Sequence, residues 1–130
     1  MILAVATALV RAALFFLGVE LVKKGTRARM YIAKGTLLRY WMRNISAVTL
    51  ARCIVFTTPM DFANTFVRRH EMVHIAQIER DGILRFWLHY LQQYAAARGK
   101  GLDHSTAYYA IDYEADAYSK QTDPTLTFDP

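Results

Sequence analysis

Apolar positions change their spacing several times along the chain, and each change predicts an element. Residues 1–22, MILAVATALVRAALFFLGVELV, are apolar nearly throughout. Their length predicts one helix of about 33 Å, close to the thickness of a bilayer core. Thr7, Arg11 and Gly18 make a narrow polar stripe on it, and Glu20 lies near its end. Residues 30–44 are mixed and predict no clear element. Residues 45–57, ISAVTLARCIVFT, are β-branched and apolar with Arg52 near the middle, which predicts one or two strands and a short turn. Thr57-Thr58-Pro59 closes that run.

Helical spacing then takes over. Phe62, Phe66, Val73 and Ile78 predict a helix from about Phe62 to Asp81, with Thr58 or Asp61 as its cap and Gly82 as its stop. A second helix is expected from about Ile83 to Arg98. Its stripe of Ile83, Phe86, Trp87, Tyr90, Leu91 and Tyr94 reads as core packing rather than a substrate pocket. Gly99-Lys100-Gly101 breaks the chain, and Asp103 is placed to cap a third helix from about His104 to Lys120. Asp123-Pro124 and Asp129-Pro130 predict an irregular tail. The pattern is that of an α+β protein, mostly helical with a small β element.

The length of 130 residues suits one core that needs no staples. Four stretches are expected: an N-terminal hydrophobic helix over 1–24, a basic connector over 25–44, the main domain over 45–120 and a tail over 121–130. Cys53 is the single cysteine, so no internal disulfide is possible. Its apolar surroundings mark it as a small core residue.

The net charge of +5 is unevenly spread. Residues 1–52 hold nine Lys or Arg and one acid, Glu20; residues 53–130 hold seven bases and ten acids. A nucleic-acid partner is not expected, because the bases flank the hydrophobic segment instead of studding the folded half. They point toward anionic lipid. Three readings of the first segment follow: a membrane anchor, a helix packed on this domain or on a partner subunit, or a cleaved signal peptide. If the segment spans, Lys23, Lys24, Arg27 and Arg29 keep the rest of the chain cytoplasmic. Arg11 at its centre opposes spanning, at about 2.5–3.5 kcal/mol on insertion scales.

The most informative five residues are His70-Glu71-Met72-Val73-His74. They spell HExxH. On a helix, positions i and i+4 share a face, so His70 and His74 can offer two imidazole nitrogens to one metal ion. Glu71 projects beside that ion, where it can take a proton from a metal-bound water. Catalytic zinc usually takes three protein ligands. The run Ile111-Asp112-Tyr113-Glu114-Ala115-Asp116-Ala117-Tyr118 offers carboxylates on a later helix.

HExxH followed by a helix-borne Glu resembles the gluzincin class of zinc metallopeptidases. A longer pattern is similar to small bacterial and phage-encoded zincin-like proteins. It runs from Val48-Thr49-Leu50 through His70-Glu71-x-x-His74-x-x-Gln77, Gly82, Phe86, Tyr90 and Ala107-Tyr108 to Tyr113-Glu114-x-Asp116-Ala117, covering roughly residues 45–118. That resemblance implies a minimal zincin-like domain with an active-site helix, a helical hairpin and a third-ligand helix. It implies zinc as cofactor, with His70, His74 and Glu114 as ligands and Glu71 as catalytic base. The same segment is also similar to membrane gluzincins of the CAAX prenyl protease type. That alignment puts Asp112 in the ligand place and Asp116 in the supporting place. Under the Glu114 alignment Tyr118 stands where a supporting Asp is expected, so the partner orienting the histidines is open.

Other polar residues have plain alternatives. Glu71 can pair with Arg68 one turn earlier. Gln77 can hydrogen-bond near the site or face solvent. His104 and Tyr108 can hold a developing oxyanion, although His104 also fits a simple helix start. His89 reads as a packing residue. The expected function is a zinc metallopeptidase acting on a peptide or protein substrate, with residues 45–57 offering an edge to an extended chain. The alternative is a non-catalytic zincin-like structural or assembly subunit that keeps its metal, for instance in a phage particle. The compartment follows the reading: membrane-associated with the main domain cytoplasmic, or within such a particle.

Overall fold

The computed structural model describes residues 1–126. Helix α1 (Ile2–Leu17) is followed by strands β1 (Val19–Lys24) and β2 (Arg29–Ala33), then helix α2 (Thr36–Trp41) and strands β3 (Ala47–Leu50) and β4 (Cys53–Phe56). Five helices complete the fold: α3 (Pro59–Ala63), α4 (Thr65–Asp81), α5 (Ile83–Gly99), α6 (His104–Tyr109) and α7 (Asp112–Lys120). The class is α+β, as expected.

The strands form one sheet in the order β1-β2-β4-β3. β1 and β2 pair antiparallel, β2 and β4 parallel, and β3 and β4 antiparallel. Leu50 pairs with Cys53, so Ala51 and Arg52 alone turn the chain between β3 and β4.

Period-two alternation divides the sheet into two apolar faces. Tyr31, Ala33, Cys53 and Val55 meet Leu14 of α1 and Leu38 and Met42 at α2. Met30, Ile32, Ile54 and Phe56 point the other way and meet Met72 and Ile75 of α4. Covering both faces explains the unbroken apolar run of β4, which has no polar parity. Each large side chain buried this way contributes about 1.5–3 kcal/mol. A third cluster, Ile78, Phe86, Ile111 and Tyr113, lies under α5 to α7 with Ile83, Trp87, Tyr90 and Tyr94 packed on it. Leu91, expected in that stripe, is 60% exposed instead.

Several boundaries depart from the sequence pattern. The single helix expected over the first 22 residues is not formed. α1 stops at Leu17, Gly18 takes φ 84, and Val19–Lys24 enters the sheet as β1. The Gly18 carbonyl accepts the N–H groups of Lys34 and Gly35 at 3.0 and 2.9 Å, which fastens the start of α2 against the end of α1. A Cβ on Gly35 would lie 2.0 Å from the Leu17 carbonyl oxygen, so only glycine permits this approach. Among the described residues no helix is long and apolar enough to cross a membrane. Residues 25–44, expected as a connector, contain β2 and α2, and Met30, Tyr31, Ile32 and Ala33 are buried.

The expected helix from Phe62 also divides. Thr58 and Asp61 form a capping box on the short α3, and α4 starts afresh at Thr65. The Asn64 side chain caps α4 by accepting from the N–H groups of Phe66 and Val67. Gly82, with φ 85, ends α4 where the sequence places the stop. The expected third helix is two. Asp103 caps α6, but Ile111 turns extended and fully buried, and α7 leaves in a new direction.

Candidate metal centre

The middle of α4 is buried on nearly every side. At ~100° per residue, Met72 and Ile75 turn toward the sheet, while His70, His74 and Gln77 turn toward α7. Glu71 falls between those two directions and reaches β3. Its Oε2 accepts the Thr49 hydroxyl at 2.6 Å. Thr49 is on the α4 side of the sheet because it shares parity with Ala47, which packs there. Glu79, two turns after Met72, anchors α4 to both strand turns. Its carboxylate pairs with Arg27 at 2.9 Å and Arg52 at 2.7 Å.

The two imidazoles and the Glu114 carboxylate converge. His70 Nε2 lies 2.9 Å from Glu114 Oε2, and His74 Nε2 lies 3.4 Å from Glu114 Oε1. The two Nε2 atoms are 3.2 Å apart. All three residues are buried, and their donor atoms lie within 4.8 Å of one another. A metal with ligand arms of ~2.0 Å in tetrahedral array separates its ligand atoms by about 3.3 Å. The observed separations match that frame, and the cluster can hold a metal ion. Nitrogen, nitrogen and carboxylate oxygen form a borderline donor set that suits transition metals and zinc better than calcium or magnesium.

Hydrogen bonds around the cluster set the histidine tautomers. The Gln77 amide N–H₂ donates to the Tyr113 carbonyl at 3.1 Å and to Asp116 Oδ2 at 2.8 Å. Both partners only accept, so the amide orientation is determined. Gln77 Oε1 must then accept from His74 Nδ1–H, at 2.8 Å. His74 Nε2 is left facing the cluster. Gln121 Oε1 lies 3.1 Å from His70 Nδ1 and does the same for that ring. Both supporting acceptors are neutral amides rather than carboxylates. Tyr118 is not an acceptor here; its ring packs edge-on against His70 with centroids 4.5 Å apart.

Glu114 also accepts the Tyr90 hydroxyl at 2.8 Å. Burial works to raise the Glu114 carboxyl, but the hydrogen bonds with His70 and His74 outweigh it and hold the group below the usual carboxylate range. Burial works to lower His74, yet the Glu114 contact and the Glu71 charge leave it above its ordinary value. Burial first, and the Glu114 charge second, push the Tyr90 and Tyr108 hydroxyls far up, so both stay protonated donors.

No protein-family model, no curated protein and no solved structure matches this chain. The donor atoms and the space around them carry the chemical reading. A cavity of about 160 Å³ opens beside the cluster, lined by Glu71, His74, Glu114, Tyr90, Tyr108 and the apolar side chains of β3 and α5. A larger cleft of about 700 Å³ runs past His70 and Glu71, between residues 44–47 and the tyrosines Tyr108, Tyr109 and Tyr118. The aromatic stripe of α5 thus does two jobs, since Phe86, Trp87 and Tyr90 are both core and cavity wall.

The remaining candidates are placed elsewhere. Asp112 points away from the cluster; it accepts from Gln93 Nε2 at 2.7 Å and lies 3.6 Å from His89 Nε2. The break at Ile111 sets α7 so that Glu114 faces inward and Asp112 outward. His89 is half exposed and packs edge-on against the Tyr113 ring, with centroids 5.3 Å apart. His104 lines the rim of the larger cleft, and its Nδ1 pairs with the Tyr94 hydroxyl at 2.8 Å. Arg68 lies over the Phe62 ring, while Glu71 turns to Thr49. Cys53 is fully buried in the core. Sequence reasoning missed the roles of Thr49, Tyr90 and Gln121. Thr49 is a polar residue at an inward parity of an apolar strand, which is a readable signal. Gln121 carried none, because its contact depends on where α7 ends.

Proposed function

We propose that this protein is a zinc-dependent metallopeptidase of the gluzincin type, with His70, His74 and Glu114 as metal ligands and Glu71 as general base. The observation that carries the reading is the position of Glu71. It stands outside the ligand cluster, beside it, and lines both the cavity and the cleft. A motif kept only for packing has no need of a buried carboxylate at an open wall. The cleft of about 700 Å³ supports a substrate larger than a small molecule. β3 is an edge strand and its first residue, Ala47, lines the cleft, which supports an extended peptide adding to that edge by backbone hydrogen bonds.

Zinc bound there would polarise a carbonyl and acidify a water molecule toward neutral pH. Glu71 takes the water proton and returns it to the leaving nitrogen. The Thr49 hydroxyl holds Oε2 of Glu71, leaving Oε1 for that proton. Gln77 and Gln121 meet the Nδ1 atoms and leave Nε2 of each imidazole facing the ligand side. Tyr108, held protonated, borders the same cavity as a donor for a developing oxyanion, whereas the Tyr90 hydroxyl already serves Glu114.

The test is Glu71→Gln in the full chain, assayed against an unfolded polypeptide library alongside zinc content. The variant is expected to keep about one zinc per chain and to lose hydrolysis. Wild-type protein that is loaded with zinc and cleaves nothing in the library would leave the structural-subunit reading in its place.

A further inference from the structure

We infer that the outer face of α1 and α2 is a docking surface for an anionic lipid bilayer, on which the protein lies without crossing it. α1 is apolar on both sides, which a helix at the surface of a soluble fold does not need. Its inner side is spent on folding: Leu14 is buried against the sheet with Val10 and Leu17 beside it. Its outer side carries Val5, Leu9 and Phe16, exposed by 55%, 67% and 86%. At ~100° per residue these three fall within one narrow stripe. The Thr7 hydroxyl donates to the Leu3 carbonyl at 2.7 Å, so it is satisfied within the helix.

α2 extends the same surface. Leu38 and Met42 anchor it in the cluster that Leu14 enters, so both helices cover one side of the sheet. Tyr40 and Trp41 then face outward, Trp41 with 65% of its surface exposed. Aromatic side chains of these two types favour the boundary between lipid and water.

Charge decides the occupant. Arg39 and Arg43 are exposed on α2 and the turn after it. The Arg43 guanidinium stacks over the Tyr40 ring at 4.2 Å, so positive charge and aromatic surface are immediate neighbours. The one acid of residues 1–52, Glu20, is already paired with Lys34 at 2.9 Å. A second copy docked face to face would set this positive excess against itself. A leaflet of anionic headgroups accepts the cations and takes up the apolar stripe between them. Leu14, Val10 and Leu17 hold one side of α1 on the sheet, so the helix lies in the plane of the interface rather than across it. The inference is independent of the metal centre.

Vesicle sedimentation of the full chain tests it, using phosphatidylcholine alone and phosphatidylcholine mixed with phosphatidylglycerol. Wild-type protein is expected to bind the mixed vesicles, to bind the neutral ones far more weakly, and to be released by salt. Arg39→Gln with Arg43→Gln should weaken binding roughly fivefold per charge. Phe16→Ser with Trp41→Ser should abolish it, while circular dichroism and zinc content stay those of wild type. Should the apolar pair fail to fold, the arginine pair alone decides. No binding to mixed vesicles, equal binding to both at all salt concentrations, or binding unchanged by the arginine pair would overturn the inference. So would a wild-type dimer in sedimentation velocity that Phe16→Ser with Trp41→Ser splits.

Discussion

His74 donates its Nδ1–H to Gln77 Oε1 at 2.8 Å, one turn further along the same helix. The other end of the Gln77 amide is tied to α7, through the Tyr113 carbonyl and Asp116. One buried side chain therefore orients His74 and joins α4 to α7. Gln77→Leu should lower zinc affinity by about 10–100-fold, measured by competition with a chelator of known affinity. Gln77→Glu restores an acceptor for Nδ1 but sets a carboxylate against Asp116 and the Tyr113 carbonyl, so it should recover only part of that loss. Equal affinity in wild type and Gln77→Leu would show that the contact does not support the metal.

The break at Ile111 makes Glu114 and Asp112 unequal. His74→Ala and Glu114→Ala should each remove bound zinc, read as metal per chain after dialysis. Asp112→Ala should leave the metal in place, since its carboxylate faces Gln93 and His89. Zinc lost from Asp112→Ala and kept in Glu114→Ala would reverse the ligand assignment.

The cluster also sets a pH dependence. His74 sits above its ordinary value in the metal-free protein, because the Glu114 contact and the Glu71 charge outweigh burial. Its contribution to stability is full below the unfolded imidazole value of about 6.5 and is lost as pH rises through the raised folded one. Glu114 is the opposite case, held below its ordinary value. Its contribution is present above the unfolded carboxyl value and lost as pH falls through the depressed one. The metal-free protein should thus gain most from this cluster in mildly acidic solution, between the two ranges. Zinc displaces the proton from His74. The rise in Tm on adding zinc should therefore grow from acidic to neutral pH, and a rise constant across that span would contradict the coupling.

Phe86 ties the site to the core. It is 2% exposed, stacks on Tyr113 with ring centroids 4.5 Å apart and meets His74 edge-on at 5.9 Å. Phe86→Ala should cost about 3–5 kcal/mol of folding stability, read by urea denaturation with zinc present. The cavity it leaves borders both Tyr113 and His74, so metal affinity should fall with stability. A loss below about 1 kcal/mol would mean that neighbours refill the space.

How much was legible depended on whether the signal was local. HExxH needs only helical spacing to put His70 and His74 on one face, and Gly82 and Asp103 mark helix ends by their residue type, whereas the Asn64 cap that starts α4 was not read. The β3–β4 hairpin followed from β-branched residues around a short turn. The division of residues 1–22 did not follow. Val19–Lys24 has the apolar content to continue a helix, and it becomes a strand because β2 offers it a pairing edge. The break at Ala110-Ile111 was equally hidden, because Ile111 is drawn out of the helix by a pocket among Ile78, Phe86 and Tyr113.

The residue order alone therefore determined two imidazoles at one spacing, an intervening carboxylate, and a later acidic segment able to supply a third ligand. Tertiary structure decided which acid meets the two imidazoles, because burial of Ile111 rotates α7 and sends Glu114 inward. It also decided the partners that hold the site: Thr49 on Glu71, Gln77 on His74 and Gln121 on His70. Those contacts join residues as far as 51 positions apart. Spacing along a chain carries no information at such separations until packing brings the helices together.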